Sequence, residues 1–235
     1  MLCRASGEGC SEQHAARRLS PKGGMRGEMS VRWLSLTPED YRRMPWKNGG
    51  GVTEEIALDP PGGHWEGPSR ILWRVSTALV ASSGPFSLFP GYDRFLAVVD
   101  GGALELHVEG REPERLHPRG GVCAFSGDAR TEGILLEGPC RDFNLFVDRS
   151  RGSAALRYVV PGEGCTLRSE GNLGMLFATG GEVLGRGESS EGGAFALAPG
   201  DVLLWRREDE AEAVFSLLGP GKALWGEVFL GRKED

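Results

Sequence analysis

An all-β fold of the sandwich or barrel type is what this 235-residue chain predicts, and three observations predict it. Glycine is abundant at 37 residues, whereas tyrosine and methionine number 3 and 5. No sustained 3.6-residue apolar period appears after residue 45. Short apolar runs recur instead at close spacing, with turn chemistry between them.

Residues 1–29 carry scarcely any apolar side chains and no periodicity, too little to offset the entropy of ordering them. The expectation there is a disordered extension, and Met25 or Met29 offers a later translation start. Val31-Arg32-Trp33-Leu34 begins the strand-like pattern. Thr37-Pro38-Glu39-Asp40 follows with an N-cap residue, a proline at the first helical position and two acids, which predicts a short helical turn.

Strands are then predicted at Gly51 to Leu58, Leu72 to Val80, Arg94 to Val99, Ala103 to Val108, Gly121 to Phe125, Arg130 to Leu136 and Phe143 to Val147. Asp59-Pro60-Pro61-Gly62-Gly63, Ser83-Gly84-Pro85, Pro90-Gly91 and Asp100-Gly101-Gly102 separate them. A looser second series follows: Leu156 to Val160, Met175 to Ala178, Ala194 to Leu197, Val202 to Trp205, Ala213 to Leu218 and Ala223 to Phe229. Ala124-Phe125-Ser126-Gly127-Asp128 is echoed by Leu197-Ala198-Pro199-Gly200-Asp201, and the echo suggests two barrel-like halves. The expected division is an extension over 1–29, a first barrel over 30–150 and a second over 151–235.

Composition narrows the function classes. Lys and Arg number 27 against 33 Asp and Glu, for a net charge of -6, and neither sign forms a block, so a nucleic-acid face has no support. No apolar run approaches the ~20 residues that span a bilayer, and no signal peptide is visible, so a cytoplasmic protein without membrane partners is expected. Cys3, Cys10, Cys123, Cys140 and Cys165 lack paired spacing and fit reduced thiols.

The chemistry-bearing stretches share one grammar. Trp46-Lys47-Asn48 leads through Gly49-Gly50-Gly51 into a strand bearing Thr53 and Glu55 on one face. The run can be a binding loop or a glycine-rich surface loop. Arg74 and Ser76 alternate with Trp73 and Val75, and Asp142 and Asn144 alternate with Phe143 and Leu145. Such polar pairs either face solvent or converge inside a barrel mouth as a small-molecule site. Lys47, Arg74 and Arg94 could grip a carboxylate through cationic donors, with Glu55 and Asp142 holding them or reading an amine. Trp73, Phe86 and Phe89 would wall the site.

The strings MPWKNGGGVTEE (44–55), WRVSTA (73–78), GPFSLFPGYDRFL (84–96), FSGD (125–128) and RDFNLF (141–146) resemble, in order and spacing, the HutD/Ves family. The likeness is strong from Trp33 to Val147 and weaker beyond. It implies a two-barrel, cupin-like (RmlC-like) jelly roll, that is, a bicupin, linked to histidine utilisation and without an established enzymatic activity. It further implies binding of a small carboxylate such as formylglutamate, in a sensor or regulatory role. The family pattern falls on Trp46, Lys47, Asn48, Gly50, Thr53, Glu55, Trp73, Arg74, Ser76, Phe86, Ser87, Pro90, Gly91, Arg94, Asp142 and Asn144.

No catalytic motif stands out. The four histidines, His14, His64, His107 and His117, are not spaced for joint metal ligation, so neither metal nor cofactor is expected. No nucleophile motif occurs either. The alternative function is a metal-independent cupin isomerase or hydrolase, with Glu55 or Asp142 as base, acting on a small acid or sugar derivative. A homodimer stays open.

Overall fold

The computed structural model describes residues 31–46, 49–118, 120–188, 193–207 and 211–231. The expectations for residues 1–29, and for Lys47 and Asn48, lie outside the described residues. Among those described, no helix is long and apolar enough to cross a membrane.

The short apolar runs form nineteen strands in the described chain. In the first half these are β1 (Val31–Leu36), β2 (Arg42–Pro45), β3 (Gly51–Asp59), β4 (Trp73–Val80), β5 (Gly84–Pro85), β6 (Tyr92–Gly101), β7 (Leu104–Val108), β8 (Glu114–Leu116), β9 (Cys123–Ser126), β10 (Thr131–Leu135) and β11 (Cys140–Asp148). In the second they are β12 (Gly152–Val159), β13 (Gly162–Ser169), β14 (Leu173–Gly180), β15 (Val183–Gly187), β16 (Ala194–Leu197), β17 (Val202–Arg207), β18 (Ala213–Gly219) and β19 (Lys222–Leu230). The helical turn is a single 3₁₀ turn, Pro38–Asp40, capped by Thr37 and closed by the Asp40 carboxylate on the Thr37 N–H at 3.0 Å.

Two sheets build each half. The first half has a large sheet ordered β2-β3-β4-β11-β6-β9 and a small one ordered β5-β10-β7-β8; the second has β1-β17-β14-β19-β12 and β13-β18-β15-β16. Strand for strand, β4-β11-β6-β9 repeats as β12-β19-β14-β17, and the small sheets repeat in the same way. The chain is therefore a duplicated jelly roll. The repeat lies in strand order and not in the Gly-Asp echo. Gly127-Asp128 joins β9 to β10, whereas Gly200-Asp201 joins β16 to β17, the counterpart of the β8 to β9 connection. Moreover, β1 pairs with β17 from Val31↔Arg207 to Leu36↔Val202, so the first strand completes the large sheet of the second half.

Alternation along these strands decides what each face does. Trp73, Val75, Phe143, Leu145, Val147, Ala97 and Val99 point out of the first barrel and meet Leu173, Met175, Phe177, Val202, Leu204, Leu224 and Val228 from the second. The two large sheets thus share one apolar core. Their opposite faces line the two barrel interiors, so the strands are covered on both sides; β14 and β17 of the second barrel read as nearly continuous apolar runs, whereas β4 and β11 of the first alternate apolar residues with buried polar ones. The strands that sequence reasoning misses are β2, β5, β8, β13 and β15. Of these, β13 is largely exposed, and β15 has glycines where apolar alternation would need side chains.

Candidate functional site

The lumen of the first barrel is hollow. A cavity of about 910 Å³ is lined by Trp46, Thr53, Glu55, Arg74, Ser76, Phe86, Phe89, Arg94, Asp142 and Asn144 among others. Ten of the predicted site residues therefore meet in one place, carried by β3, β4, β6, β11 and the loops at the barrel mouth. Trp73 does not. It lies on the other face of β4, packed in the core between the barrels, because side chains one position apart on a strand point to opposite faces. Its assignment as a wall of the site is corrected accordingly.

The glycine run answers to backbone demands. Gly49 has φ +71°, and a Cβ on Gly51 would stand 2.2 Å from the Leu79 carbonyl oxygen. The Trp46 indole beside them donates Nε1–H to Thr53 Oγ1 at 2.8 Å, which fixes the ring at the cavity edge. Thr53 and Glu55 face the lumen, while Glu54, one residue out of phase, turns outward to Arg43, Thr77 and Arg141.

Two arginines give the cavity its character. Arg74 donates Nε–H to Glu55 Oε2 at 2.8 Å and approaches Ser76 Oγ at 3.4 Å, with its guanidinium 5.5 Å from the centre of the Trp65 ring. Arg94 is 5% exposed and gives both Nε–H and Nη2–H to Asn144 Oδ1, at 2.9 and 2.7 Å. Its plane lies among Phe86, Phe146 and Phe125, at 4.6, 5.1 and 5.4 Å, so aromatic faces replace much of the lost water. Burial pulls its pKa down to about 10, a loss the nearby Asp142 opposes. It remains cationic at neutral pH.

Asn144 passes this interaction on. Its Nδ2 donates to Asp142 Oδ1 at 2.8 Å, which turns its carbonyl oxygen toward Arg94. Burial pushes the Asp142 carboxyl up to about 6 against the pull of Arg94 and the Asn144 hydrogen bond. Arg74 Nη2 and Arg94 Nη1 have no hydrogen-bond partner among the described residues, and both arginines line the cavity. A guanidinium fork with a free edge in an aromatic-walled hollow is suited to a carboxylate.

Residues that sequence reasoning passed over also line the hollow. Trp65 packs on Phe89 and Phe146 at 4.3 and 5.3 Å, and His64 stands beside it. Phe146 was accessible from parity, since it follows Asp142 and Asn144 on the same face; the Gly63-His64-Trp65 loop carries no such signal. Among the described residues, no group of three or more His, Cys, Asp or Glu side chains is placed to hold a metal ion.

The second barrel makes a contrast that strand register quantifies. Arg94 pairs with Phe125 and Phe146, and the matching position on β14, Gly174, pairs with Trp205 and Glu227. By the same alignment Asn144 corresponds to Trp225, Asp142 to Ala223 and Arg74 to Ala155. Trp205, Phe215 and Trp225 pack together with centroids 4.4 to 5.6 Å apart and fill that lumen. A Cβ on Gly174 would lie 2.1 Å from the Trp205 ring.

Fold and site together define a two-barrel cupin-type jelly roll with a hollow, charged first barrel and a solidly packed second. A model of the HutD family matches residues 38–225, and the chain belongs to that family. It is 43% identical over 123 residues to an uncharacterized 21.2 kDa protein in the hutC 3' region of Pseudomonas putida, covering 52% of this chain and 62% of that protein. It is 35% identical over 122 residues to protein Ves of Citrobacter koseri, covering 50% and 61%. The matched region thus spans under two thirds of these curated relatives. The structure of HutD from Pseudomonas fluorescens SBW25 superposes with a TM-score of 0.71 at 33% identity, over 85% of this chain and all of that one, 100%. Protein Ylba from E. coli, at 10% identity and a TM-score of 0.61, shares the fold alone.

Proposed function

We propose that the first barrel, within residues 30–150, binds a small carboxylate, and that the protein acts as a sensor or regulator of amino-acid catabolism, that of histidine in particular. One observation carries this reading: Arg74 and Arg94, both buried, point into one cavity, and each keeps a guanidinium edge without a protein partner among the described residues. Burying a cation is costly, and a site that retains two such edges beside aromatic walls is prepared for an anionic ligand. Asn144 and Ser76 add hydrogen-bonding capacity, while Phe86, Phe89 and Trp65 supply apolar surface. The family name, and the hutC-region name of the Pseudomonas putida relative, support placing the ligand in histidine breakdown, with formylglutamate as the type.

Calorimetric titration with formylglutamate, urocanate and glutamate tests the proposal on wild type and Arg74→Ala. Saturable heat with at least one acid, weakened tenfold or more by the substitution, is the expected result. Equal heats from both proteins would remove Arg74 from the site, and no heat from any acid would defeat the reading.

A further inference from the structure

The two oxygens of Asp142 live in different surroundings. Oδ1 accepts the Asn144 Nδ2–H at 2.8 Å and so belongs to the chain that ends on Arg94. Oδ2 is buried without a hydrogen bond of ordinary geometry among the described residues, in a carboxyl that is 1% exposed and borders the cavity; the backbone N–H of Ala78, opposite Asp142 on β4, is the one further donor near this carboxyl. An ionised carboxylate so sparsely hydrogen-bonded is a poor occupant of an interior, whereas a carboxylic acid can carry its proton there.

The charges around it nearly cancel before any ligand arrives. Arg74 on β4 is paired with Glu55 on β3, and Arg94 on β6 is linked through Asn144 to Asp142 on β11. On its own strand Asp142 is flanked by Arg141, which is engaged by Glu54, and by the thiol of Cys140. The Cys123 thiol lies nearer Arg94. Burial pushes both thiols up to about 12, so they stay neutral. A carboxylate arriving at the open edge of Arg94 would therefore set a second anion against one cation.

We propose that carboxylate and proton enter this barrel together, the carboxylate on the Nη1 edge of Arg94 and the proton on Oδ2 of Asp142. Asp142 is then a positioning residue that makes acid uptake proton-linked; this inference rests on the carboxylate-binding reading of the same cavity. The proton comes from solvent, no covalent bond between heavy atoms changes, and the net charge of the lumen is the same before and after. Protonation at Oδ2 leaves Oδ1 free to go on accepting from Asn144, so the Asn144 carbonyl stays turned to Arg94. Because burial already holds this carboxyl near the middle of the physiological range, the added anion needs to move it only modestly. By reciprocity, whatever the anion does to the proton affinity, the proton does to the anion affinity.

The test uses formate as probe, since it stays ionised over about pH 5 to 8, where the carboxyl of Asp142 titrates. Carbon-detected NMR follows the Asp142 side-chain carboxyl with and without saturating formate, and formate affinity is measured across the same range. The expected result is a midpoint raised by about one pH unit, which corresponds to about tenfold tighter formate binding at the acid end. Asp142→Asn should bind formate with no such pH dependence. If formate perturbs the Arg94 side-chain resonances while the Asp142 midpoint stays put, the carboxylate site stands and the proton linkage is overturned. If neither group responds, both readings fall. Should Asp142→Asn fail to fold, the wild-type titration decides alone.

Discussion

Arg94 and Asn144 are joined by two hydrogen bonds to a single oxygen, Arg94 Nε–H and Nη2–H both ending on Asn144 Oδ1 at 2.9 and 2.7 Å. The amide has only one oxygen to give, and Asp142 sets which way it faces. The geometry of the cavity is thus inherited from β11, two residues at a time.

Replacing Asn144 by leucine keeps the volume and removes the only acceptor of Arg94 among the described residues. A buried guanidinium left without an acceptor should cost about 3 kcal/mol of stability. Urea denaturation at neutral pH measures it; a loss well under 1 kcal/mol would show that Arg94 finds another partner.

Asp142 gives a pH signature of defined sign. Its folded-state value of about 6 lies above the ordinary 3.8, so the folded protein holds the proton more tightly than the unfolded chain does. Its stabilising contribution is full below about pH 4 and is lost as pH rises through about 6, a change of about 3 kcal/mol. Asp148 and Glu227 push the other way: burial raises them, but hydrogen bonds from Ser150 and Trp225 hold both below the usual range. The measurement is therefore the difference in denaturation midpoint between wild type and Asp142→Asn, which should grow in favour of the variant from pH 4 to pH 7.

Glu55 neutralises Arg74, so Glu55→Gln should separate stability from affinity. The variant keeps a hydrogen-bond acceptor near Arg74 Nε but loses the opposing charge. Stability should fall by about 1–3 kcal/mol, while binding of an anionic ligand tightens. Weaker anion binding in this variant would mean that Glu55 orients Arg74 more than it competes with the ligand.

Trp65 and Trp73 can be told apart by experiment. Trp65 borders the cavity over Arg74, whereas Trp73 is sealed between the barrels. Trp65→Ala should weaken carboxylate binding by about 1–2 kcal/mol through lost cation–π and aromatic contact. Trp73→Phe should leave affinity within about twofold and register only in the melting temperature.

Gly174→Ala probes the filled barrel. The new methyl would meet the Trp205 ring at 2.1 Å, and Trp205 is fully buried, so neither can move aside cheaply. Destabilisation of about 2–3 kcal/mol is expected, with ligand affinity in the first barrel unchanged. A neutral thermal shift would show that the second lumen is looser than its aromatic packing indicates.

Much of this was legible in one dimension. Turn residues between short apolar runs announced the strands, and the period of two put Arg74 with Ser76 and Asp142 with Asn144. The ordered strings from Met44 to Phe146 pointed to the HutD family, which the match over residues 38–225 bears out. The Gly-Asp echo pointed to two barrel-like halves, which the duplicated strand order bears out, although its two copies sit at non-equivalent connections, because a turn of that chemistry serves any sharp strand connection. The loop bearing His64 and Trp65 was silent, because it reaches the cavity through chain path and not through periodicity.

By itself, then, the sequence determined which side chains share a strand face, and with that the all-β class and the family. Only the tertiary structure decided which face is enclosed by what. On a strand covered on one side, the polar face looks to water; here both faces of the large sheets are covered, one by the opposite barrel and one by its own lumen. The apolar face was taken by the contact between barrels, where Trp73 and Phe143 have matching partners. That left Arg74, Arg94, Asp142 and Asn144 facing inward, where low polarity makes each charge count and each unpaired edge available to a ligand.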